Sequence, residues 1–117
     1  MTPPATGRLP TKVWVDGLRR TLAAEGHFVT VLTKGEASGG SVILVLRDRA
    51  GLTTVLSRTN LGDGRSEWRE IVGNLPERDP KLLETLEKQR RYDPDLWVVE
   101  LDIADPAQFI ADLPSLS

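Results

Sequence analysis

The fold is decided by the stretch Lys88-Gln89-Arg90-Arg91-Tyr92-Asp93-Pro94-Asp95-Leu96-Trp97-Val98-Val99-Glu100-Leu101. Its basic residues suit the last turn of a helix, where the helix dipole favours positive charge. Pro94 disfavours helical geometry at Asp93, so the helix is predicted to end there. The following residues alternate as a strand from Leu96 to Ile103, with one fully apolar face. The other face changes from apolar to acidic, which predicts that only the first half of this strand is covered on both sides.

Two helices have recognisable starts. The helix that ends in this stretch begins at Asp79-Pro80, which suits an N-cap and a first helical position, and its apolar stripe is Leu82, Leu83 and Leu86. A first helix is predicted to start at Thr11, acting as the N-cap, and to run to about residue 25, with a glycine stop after it. Gly17 lies in the middle of that helix at a cost of about 1 kcal/mol relative to alanine, which predicts that another element packs closely against it.

Four strand-like segments, bounded by glycine-rich or polar turns, separate these two helices. They cover residues 28–33, 41–46, 52–57 and 67–72. The second segment is apolar on both faces, which is typical of a central strand. The short connections, one of them a turn at Asp63-Gly64, predict an antiparallel meander in sequence order. In the fourth segment, alternation places Trp68 and Val72 on one face and Ile71 on the other.

The element order is helix, four strands, helix, strand and a short final helix that starts at Asp105-Pro106 and ends at Pro114. This order predicts an α+β domain of two layers, with a mainly antiparallel sheet of four or five strands and the helices packed on one face. Residues 9–117 are expected to form this single domain. Residues 1–8 lack the apolar segment of a secretory signal and are expected to form a flexible tail.

The composition is typical of one small globular domain, with 117 residues of which 39% are hydrophobic and 27% charged. No apolar run approaches the roughly 18 residues that a membrane helix needs. The absence of cysteine excludes disulfides and thiol catalysis and fits a reducing cytoplasm. Residues 1–78 carry 11 basic and 8 acidic residues, whereas residues 79–117 carry 4 basic and 9 acidic ones. The two parts are expected to attract each other within the fold; a basic face that meets a polyanion is the alternative.

Three stretches carry a resemblance to a known family: residues 9–20, with a Trp-Val pair before Gly-Leu-Arg-Arg, the glycine turn that leads into Ser41–Leu44, and Arg90–Glu100. Together they resemble a bacterial family known only as a domain of unknown function, DUF1491. The third stretch is the longest and the most specific, and the middle of the chain, residues 52–77, is weakly similar. The resemblance implies a cytoplasmic, single-domain bacterial protein and brings no catalytic or cofactor-binding residue to this sequence.

The densest cluster of charged and aromatic side chains gives the candidate binding residues: Arg90, Arg91, Tyr92, Asp93 and Asp95. In a functional interpretation, the arginines bind a phosphate or carboxylate, and one aspartate acts as a base or a metal ligand. In a structural interpretation, the arginines neutralise the helix end, Asp93 forms an Asx turn and Tyr92 packs against the fold. The structural interpretation is favoured, because residues at a helix stop commonly have these roles.

Other polar residues indicate no cofactor or metal. Glu100 and Asp102 share one strand face near Asp105, and such carboxylates suit Mg²⁺ or Ca²⁺, but no calcium loop surrounds them. His27 is the only histidine, and it follows the predicted helix stop without a nucleophile motif nearby. The glycine clusters at residues 39–40 and 62–64 lack the strand before and the helix after that phosphate and dinucleotide loops require.

Five arginines are spread over the strand segments and their loops: Arg47, Arg49, Arg58, Arg65 and Arg69. If several of them share one side of the sheet, they form a basic surface suited to phosphates or nucleic acid. Aromatic side chains that would stack on single-stranded bases are nearly absent from these segments.

These features predict a small cytoplasmic, non-catalytic binding domain whose partner is another protein or a second copy of the chain. The sequence has no nucleophile motif, metal cluster or cofactor loop, and a meander leaves an edge strand open to pairing. One alternative is a nucleic-acid or anion-binding module that uses the surface arginines. The other is a small enzyme with its site near Arg90–Asp95. No interaction with a membrane is predicted.

Overall fold

The computed structural model describes residues 10–62, 65–76 and 78–116. The predicted tail, residues 1–8, and the turn at residues 63–64 lie outside the described residues. The helices are α1 (Thr11–Ala24), α2 (Pro80–Tyr92) and α3 (Pro106–Leu116), and the strands are β1 (Val29–Thr33), β2 (Val42–Arg47), β3 (Thr53–Gly62), β4 (Arg65–Leu75) and β5 (Trp97–Asp102). Within the described part of the chain, no helix combines the length and the apolar character needed to cross a bilayer.

Most helix ends follow the predicted chemistry. Asp79 caps α2 by accepting a backbone N–H of the first turn at 2.8 Å, and Gly26 after α1 has a φ of 86°, the left-handed geometry of a helix stop. The start of α1 differs from the prediction. Thr11 is the first helical residue rather than the cap, and its buried hydroxyl donates to the carbonyl oxygen of Gly40 at 2.9 Å. This hydrogen bond fixes the start of α1 to the loop before β2.

The five strands form one sheet in the order β1-β5-β2-β3-β4. β5 is antiparallel to β1 and parallel to β2, while the β2–β3 and β3–β4 pairs are antiparallel. The α+β class and the mainly antiparallel sheet are therefore confirmed. The predicted meander is correct for β2, β3 and β4 and wrong for β1, because β5 lies between β1 and β2. The residues from Leu96 to Val99 are almost fully buried, which requires a strand neighbour on each edge and a cover on each face.

Helices cover both faces of the sheet, so the predicted placement on one face is wrong. One core cluster, here called the α1 face, joins α1 and α3 to one side of the sheet; its strand residues include Val42, Leu44, Leu46, Trp97, Val99 and Leu101. A second cluster, the α2 face, joins Leu82 and Leu86 of α2 to the other side; its strand residues include Ile43, Val45, Val55 and Val98. The reason is that β2 and the first half of β5 are apolar on both faces, and each face must be kept from water.

A bulge in β4 explains its irregular pattern. Val55 and Leu56 are consecutive in β3, but their partners in β4 are two residues apart. Ile71 is the additional residue, so Ile71 and Val72 both pack on the α2 face, while Trp68 packs on the α1 face. The prediction that Trp68 and Val72 share a face is wrong, because a bulge interrupts the alternation.

Three further predictions are wrong, two about packing and one about the end of a helix. Apart from its chain neighbours and the backbone of its own helix, no described atom lies within 4 Å of a Cβ added at Gly17, so no close contact with another described element accounts for this glycine. Leu83 is 59% exposed, because α2 directs Leu82 and Leu86 toward the sheet instead. The third helix continues past Pro114 to Leu116.

Candidate functional site

The stretch from Arg90 to Trp97 joins the end of α2 to the start of β5. Asp93 follows the last helical residue, and its two carboxylate oxygens accept the backbone N–H groups of Ser41 and of Asp95, each at 2.9 Å. Hydrogen bonding from the side chain of Ser41 makes the largest contribution and lowers the pKa of Asp93. Burial raises this pKa by a smaller amount, and the N–H groups of Ser41 and Asp95 lower it further. Asp93 therefore helps to fix this junction to the loop before β2.

The β1–β2 connection, residues 34–41, packs against the same junction. The carbonyl oxygen of Asp95 accepts the N–H of Glu36 at 3.0 Å, and the indole Nε1 of Trp97 donates to the carbonyl oxygen of Glu36 at 2.8 Å. A Cβ added at Gly35 or at Gly40 would overlap with the carbonyl oxygen of Asp95. Both glycines are thus required for the close approach of two backbones.

The structure does not bring the five predicted binding residues together around one point. Arg90 donates to the hydroxyl of Thr33 in β1 at 2.7 Å, whereas Asp93 points to the loop before β2. The side chains of Arg91 and Asp95 are exposed, and Tyr92 is 74% exposed. None of the five lines the two concavities at the opposite end of β5. Their role as binding residues remains a prediction.

The other acidic group is also dispersed. Glu100 lies 3.5 Å from the guanidinium of Arg47, on the α2 face of the sheet. Asp105 instead accepts the N–H of Gln108 in the first turn of α3 at 3.1 Å. In the parts of the chain that the structure describes, no group of three or more histidine, cysteine, aspartate or glutamate side chains is arranged to hold a metal ion.

The described arginines do not share one side of the sheet. Arg58 lies over the ring of Trp14 on the α1 face, 4.9 Å from its centroid, while Arg47 meets Glu100 on the α2 face. Arg69 is paired in register with Ser57, which also places it on the α2 face. The geometry required for one broad basic surface is thus not met by these residues.

Two adjoining concavities lie at the opposite end of β5 from Asp93. The first has a volume of about 850 Å³ and lies between α1 and β1. The second has about 600 Å³ and lies between the β2–β3 hairpin and the end of β5. Both are lined by Gly26, His27 and Phe28, and Phe28 is 76% exposed.

Charges of both signs surround this corner. Arg19 and Arg20 of α1 line the first concavity, while the second carries Arg47 and Arg49 together with several carboxylates. The ring Nε2 of His27 lies 3.7 Å from a carboxylate oxygen of Glu25. The corner is therefore a mixed polar and apolar surface, without one dominant sign of charge.

Strand β1 forms the edge of the sheet beside this corner. Its Val29 and Val31 pack into the core on the α1 face, so alternation places Thr30 and Leu32 on the opposite face. Leu32 is 47% exposed, and β1 pairs with β5 alone among the described strands. From the sequence, residues 28–33 are predicted only to form a strand. The feature that this prediction did not use is the pair Phe28 and Leu32, two apolar residues four positions apart on the face away from the core.

Comparisons with known proteins place the chain in a family without assigning it an activity. The model of the family described as "Protein of unknown function (DUF1491)" matches residues 9–111. A crystal structure of a DUF1491 family protein from Caulobacter crescentus is similar, with 33% identity, 83% of this chain and 88% of that chain covered, and a TM-score of 0.71. An NMR structure of a DUF1491 family protein from the same organism has 37% identity, covers 83% and 87% of the two chains, and has a TM-score of 0.70.

A solution structure of an A. tumefaciens protein shares the fold, with a TM-score of 0.73 at 24% identity and with 84% of this chain and 88% of that chain covered. Among curated proteins, none matches this sequence. The family model spans nearly all of the domain predicted from the sequence, and the resemblance seen in residues 9–20 and 90–100 is confirmed. This chain belongs to the DUF1491 family.

Proposed function

We propose that this protein is a non-catalytic protein-binding domain and that its docking surface is the outer edge of β1. The observation that carries the proposal is that β1 ends the described sheet while Phe28, directly before the strand, and Leu32, within it, are exposed. An exposed strand edge binds an extended segment through backbone hydrogen bonds, and alternate side chains supply the specificity.

The two concavities support the same surface. They meet at Phe28, which directly precedes β1, so a segment added along β1 would lead directly to them. Exposed aromatic side chains next to concave surfaces are common anchors of protein interfaces. Arg19 and Arg49 supply a polar rim, which suits a protein interface that forms reversibly in water.

Photo-crosslinking tests this proposal directly. Phe28 of this chain is replaced by benzoylphenylalanine, which keeps an aromatic ring at this position. The variant is expressed in a bacterium that carries a member of this family. Irradiation is expected to produce covalent adducts with a protein, because the ring lies on the proposed docking surface. Tyr92 is the matched control, since it is an aromatic residue of nearly equal exposure, 74% against 76%, at the other end of β5.

The two positions give distinguishable results. Protein adducts at Phe28 and few at Tyr92 would support docking at β1. Adducts mainly at Tyr92 would move the docking surface to the Arg90–Asp95 stretch, and an absence of protein adducts at both positions would overturn the proposed function.

A second candidate is the binding of an anionic ligand, favoured by one observation. Arg19 and Arg20 line the same concavity as the exposed ring of Phe28, and a cationic pair next to an aromatic ring suits a nucleotide or a single-stranded nucleic acid. This candidate predicts that single-stranded RNA binds and that its affinity falls as salt is added. The Arg19→Ala/Arg20→Ala variant should then lose binding that an Arg91→Ala variant retains, as measured by fluorescence anisotropy.

The third candidate, an enzyme with its site near Arg90–Asp95, has less support. Asp93 is committed to backbone N–H groups, and Arg90 is bound to Thr33, so the two are not presented jointly to a substrate. A cytoplasmic location is part of the proposal, since a chain without cysteine suits a reducing compartment.

A further inference from the structure

The backbone pairing of β1 determines which of its groups face the free edge. Asp102 donates its N–H to the carbonyl oxygen of Phe28 at 3.1 Å, so these two residues form a hydrogen-bonded pair. Such pairs alternate along an antiparallel ladder, and Thr30, in register with Glu100, belongs to the next one. The N–H and C=O groups of Val29 and Val31 therefore point away from β5, toward the edge where a further strand would lie.

We propose that the partner of this edge is β1 of a second copy of the chain, paired antiparallel about a two-fold axis at Thr30. This inference rests on the proposed function, because it names the partner of the same docking surface. In this register Val29 of one copy lies opposite Val31 of the other, and they exchange backbone hydrogen bonds. The two sheets join into one continuous sheet.

Side chains select this register over its neighbours. The two-fold axis at Thr30 places Phe28 of each copy opposite Leu32 of the other, so both exposed apolar side chains of the edge are covered by each other. Axes at Val29 or at Val31 also pair the backbone groups. They place Phe28 opposite Thr30 or Lys34, and the apolar pair is lost. The segment is thus self-complementary in one register.

The chemistry of the strand fits a second copy better than a charged partner. Val29–Thr33 contains no charged residue and no proline, which are the usual features that keep an edge strand unpaired. Its register against β5 shifts between Val31 and Thr33, so the regular pairing segment ends near Leu32. Such a short contact is at the small end of specific interfaces, and the dimer fraction is therefore expected to depend on protein concentration.

Disulfide trapping tests the register. The chain has no cysteine, so Thr30→Cys introduces a single thiol. In the proposed dimer the two Thr30 residues form a non-hydrogen-bonded pair with Cα atoms about 4.5 Å apart, within the range that a disulfide bridges. Mild oxidation is expected to convert most of this variant to a covalent dimer, seen by non-reducing electrophoresis.

Leu32→Cys is the matched control on the same strand. In the proposed register its two thiols are offset by four residues, about 13 Å, so this variant is expected to stay mostly monomeric. The double variant Phe28→Cys/Leu32→Cys regains cross-linking, because these positions face each other. Equal rates for Thr30→Cys and Leu32→Cys would overturn the register, and the absence of cross-links in all three variants would overturn the dimer.

Sedimentation equilibrium of the unmodified chain provides a test without cysteines. A dimer that dissociates on dilution is expected, and Thr30→Lys should weaken it at least tenfold by placing two positive charges side by side at the axis. Thr21→Lys, at an exposed position of α1, should leave it unchanged. A monomer at every concentration, together with cross-links from Phe28 to a different protein, would reject the dimer and retain the proposed function. A monomer without any such cross-links would reject both.

Discussion

Asp93 joins three parts of the chain through one carboxylate. It directly follows α2, its Oδ1 accepts the N–H of Asp95 ahead of β5, and its Oδ2 accepts the N–H of Ser41 ahead of β2. Hydrogen bonding from the side chain of Ser41, and to a lesser extent from these two N–H groups, lowers the pKa of Asp93 below its ordinary value of 3.8, although burial raises it. Because the folded pKa is lowered, the ionised group stabilises the fold above the unfolded pKa, and this contribution is lost as the pH falls through the folded pKa.

We expect Asp93→Asn to lower the free energy of unfolding by about 1–2 kcal/mol at neutral pH, because an amide cannot accept both hydrogen bonds. The difference from the unsubstituted protein should shrink as the pH falls below 3.8 and through the lowered pKa of Asp93, where the carboxylate itself becomes protonated. Urea unfolding over a series of pH values measures both effects. Asp95→Asn is the control, since its exposed side chain takes no part in the described hydrogen bonds, and a difference for Asp93→Asn that does not change with pH would contradict this account.

The sequence could predict half of the role of Asp93. An aspartate between a helix and a proline is typical of an Asx turn, and the hydrogen bond to Asp95 confirms that prediction. Its second partner, Ser41, is 52 residues away, and no local pattern indicates such a contact. The same limit applies to Phe28 and Leu32, whose exposure depends on which face of β1 the core covers.

The β1–β2 connection, residues 34–41, makes specific contacts with distant parts of the chain and is more than a simple turn. It donates to the carbonyl oxygen of Asp95, accepts from Trp97 and fixes the start of α1 through Thr11. Its composition predicts a turn, but composition does not distinguish a glycine needed for a turn from one needed for close packing. Gly39 and Gly40 are adjacent and differ in this respect.

We expect Gly40→Ala to lower the free energy of unfolding by about 2–4 kcal/mol, because its Cβ would overlap with the backbone of Asp95. Gly39→Ala should change it by less than about 0.5 kcal/mol, since no described atom lies within 4 Å of the added Cβ. Thermal or urea unfolding of the two variants compares them. Equal changes in the free energy of unfolding for the two variants would show that the connection shifts to accommodate the methyl group added at residue 40.

The strand order is the part of the whole molecule that the sequence did not predict. Short connections favour neighbouring strands, and this rule predicts β2, β3 and β4 correctly. For β1 this rule competes with the burial of β5, which is apolar on both faces and is therefore favoured at an interior position of the sheet. This burial decides the position of β5, but its partners depend on contacts between residues about 70 positions apart, such as Val29 with Leu101. The bulge at Ile71 was missed for a similar reason, since only the pairing reveals it.

Amide hydrogen exchange should follow this sheet order. We expect the amides of Leu44 and Val98 to exchange only through global unfolding, because their strands have neighbours on both edges. The outward amides of Val29 and Val31 should exchange orders of magnitude faster in dilute solution, while that of Thr30, which faces β5, is more protected. NMR exchange rates measure each amide separately, and a Val29 amide as slow as that of Val98 would show that the edge is covered even in dilute solution.

The central position of β5 also affects how the protein is made. A ribosome synthesises β5 after the other four strands, so β1 has no strand to pair with for most of translation. During that time β2 presents one unpaired edge, and the apolar face that α1 will share with Trp97 and Val99 remains open to water. The sheet is completed only when residues 97–102 have emerged. Nascent chains that stall shortly before this point are therefore expected to aggregate or to be retained by chaperones, whereas the full-length chain folds without them.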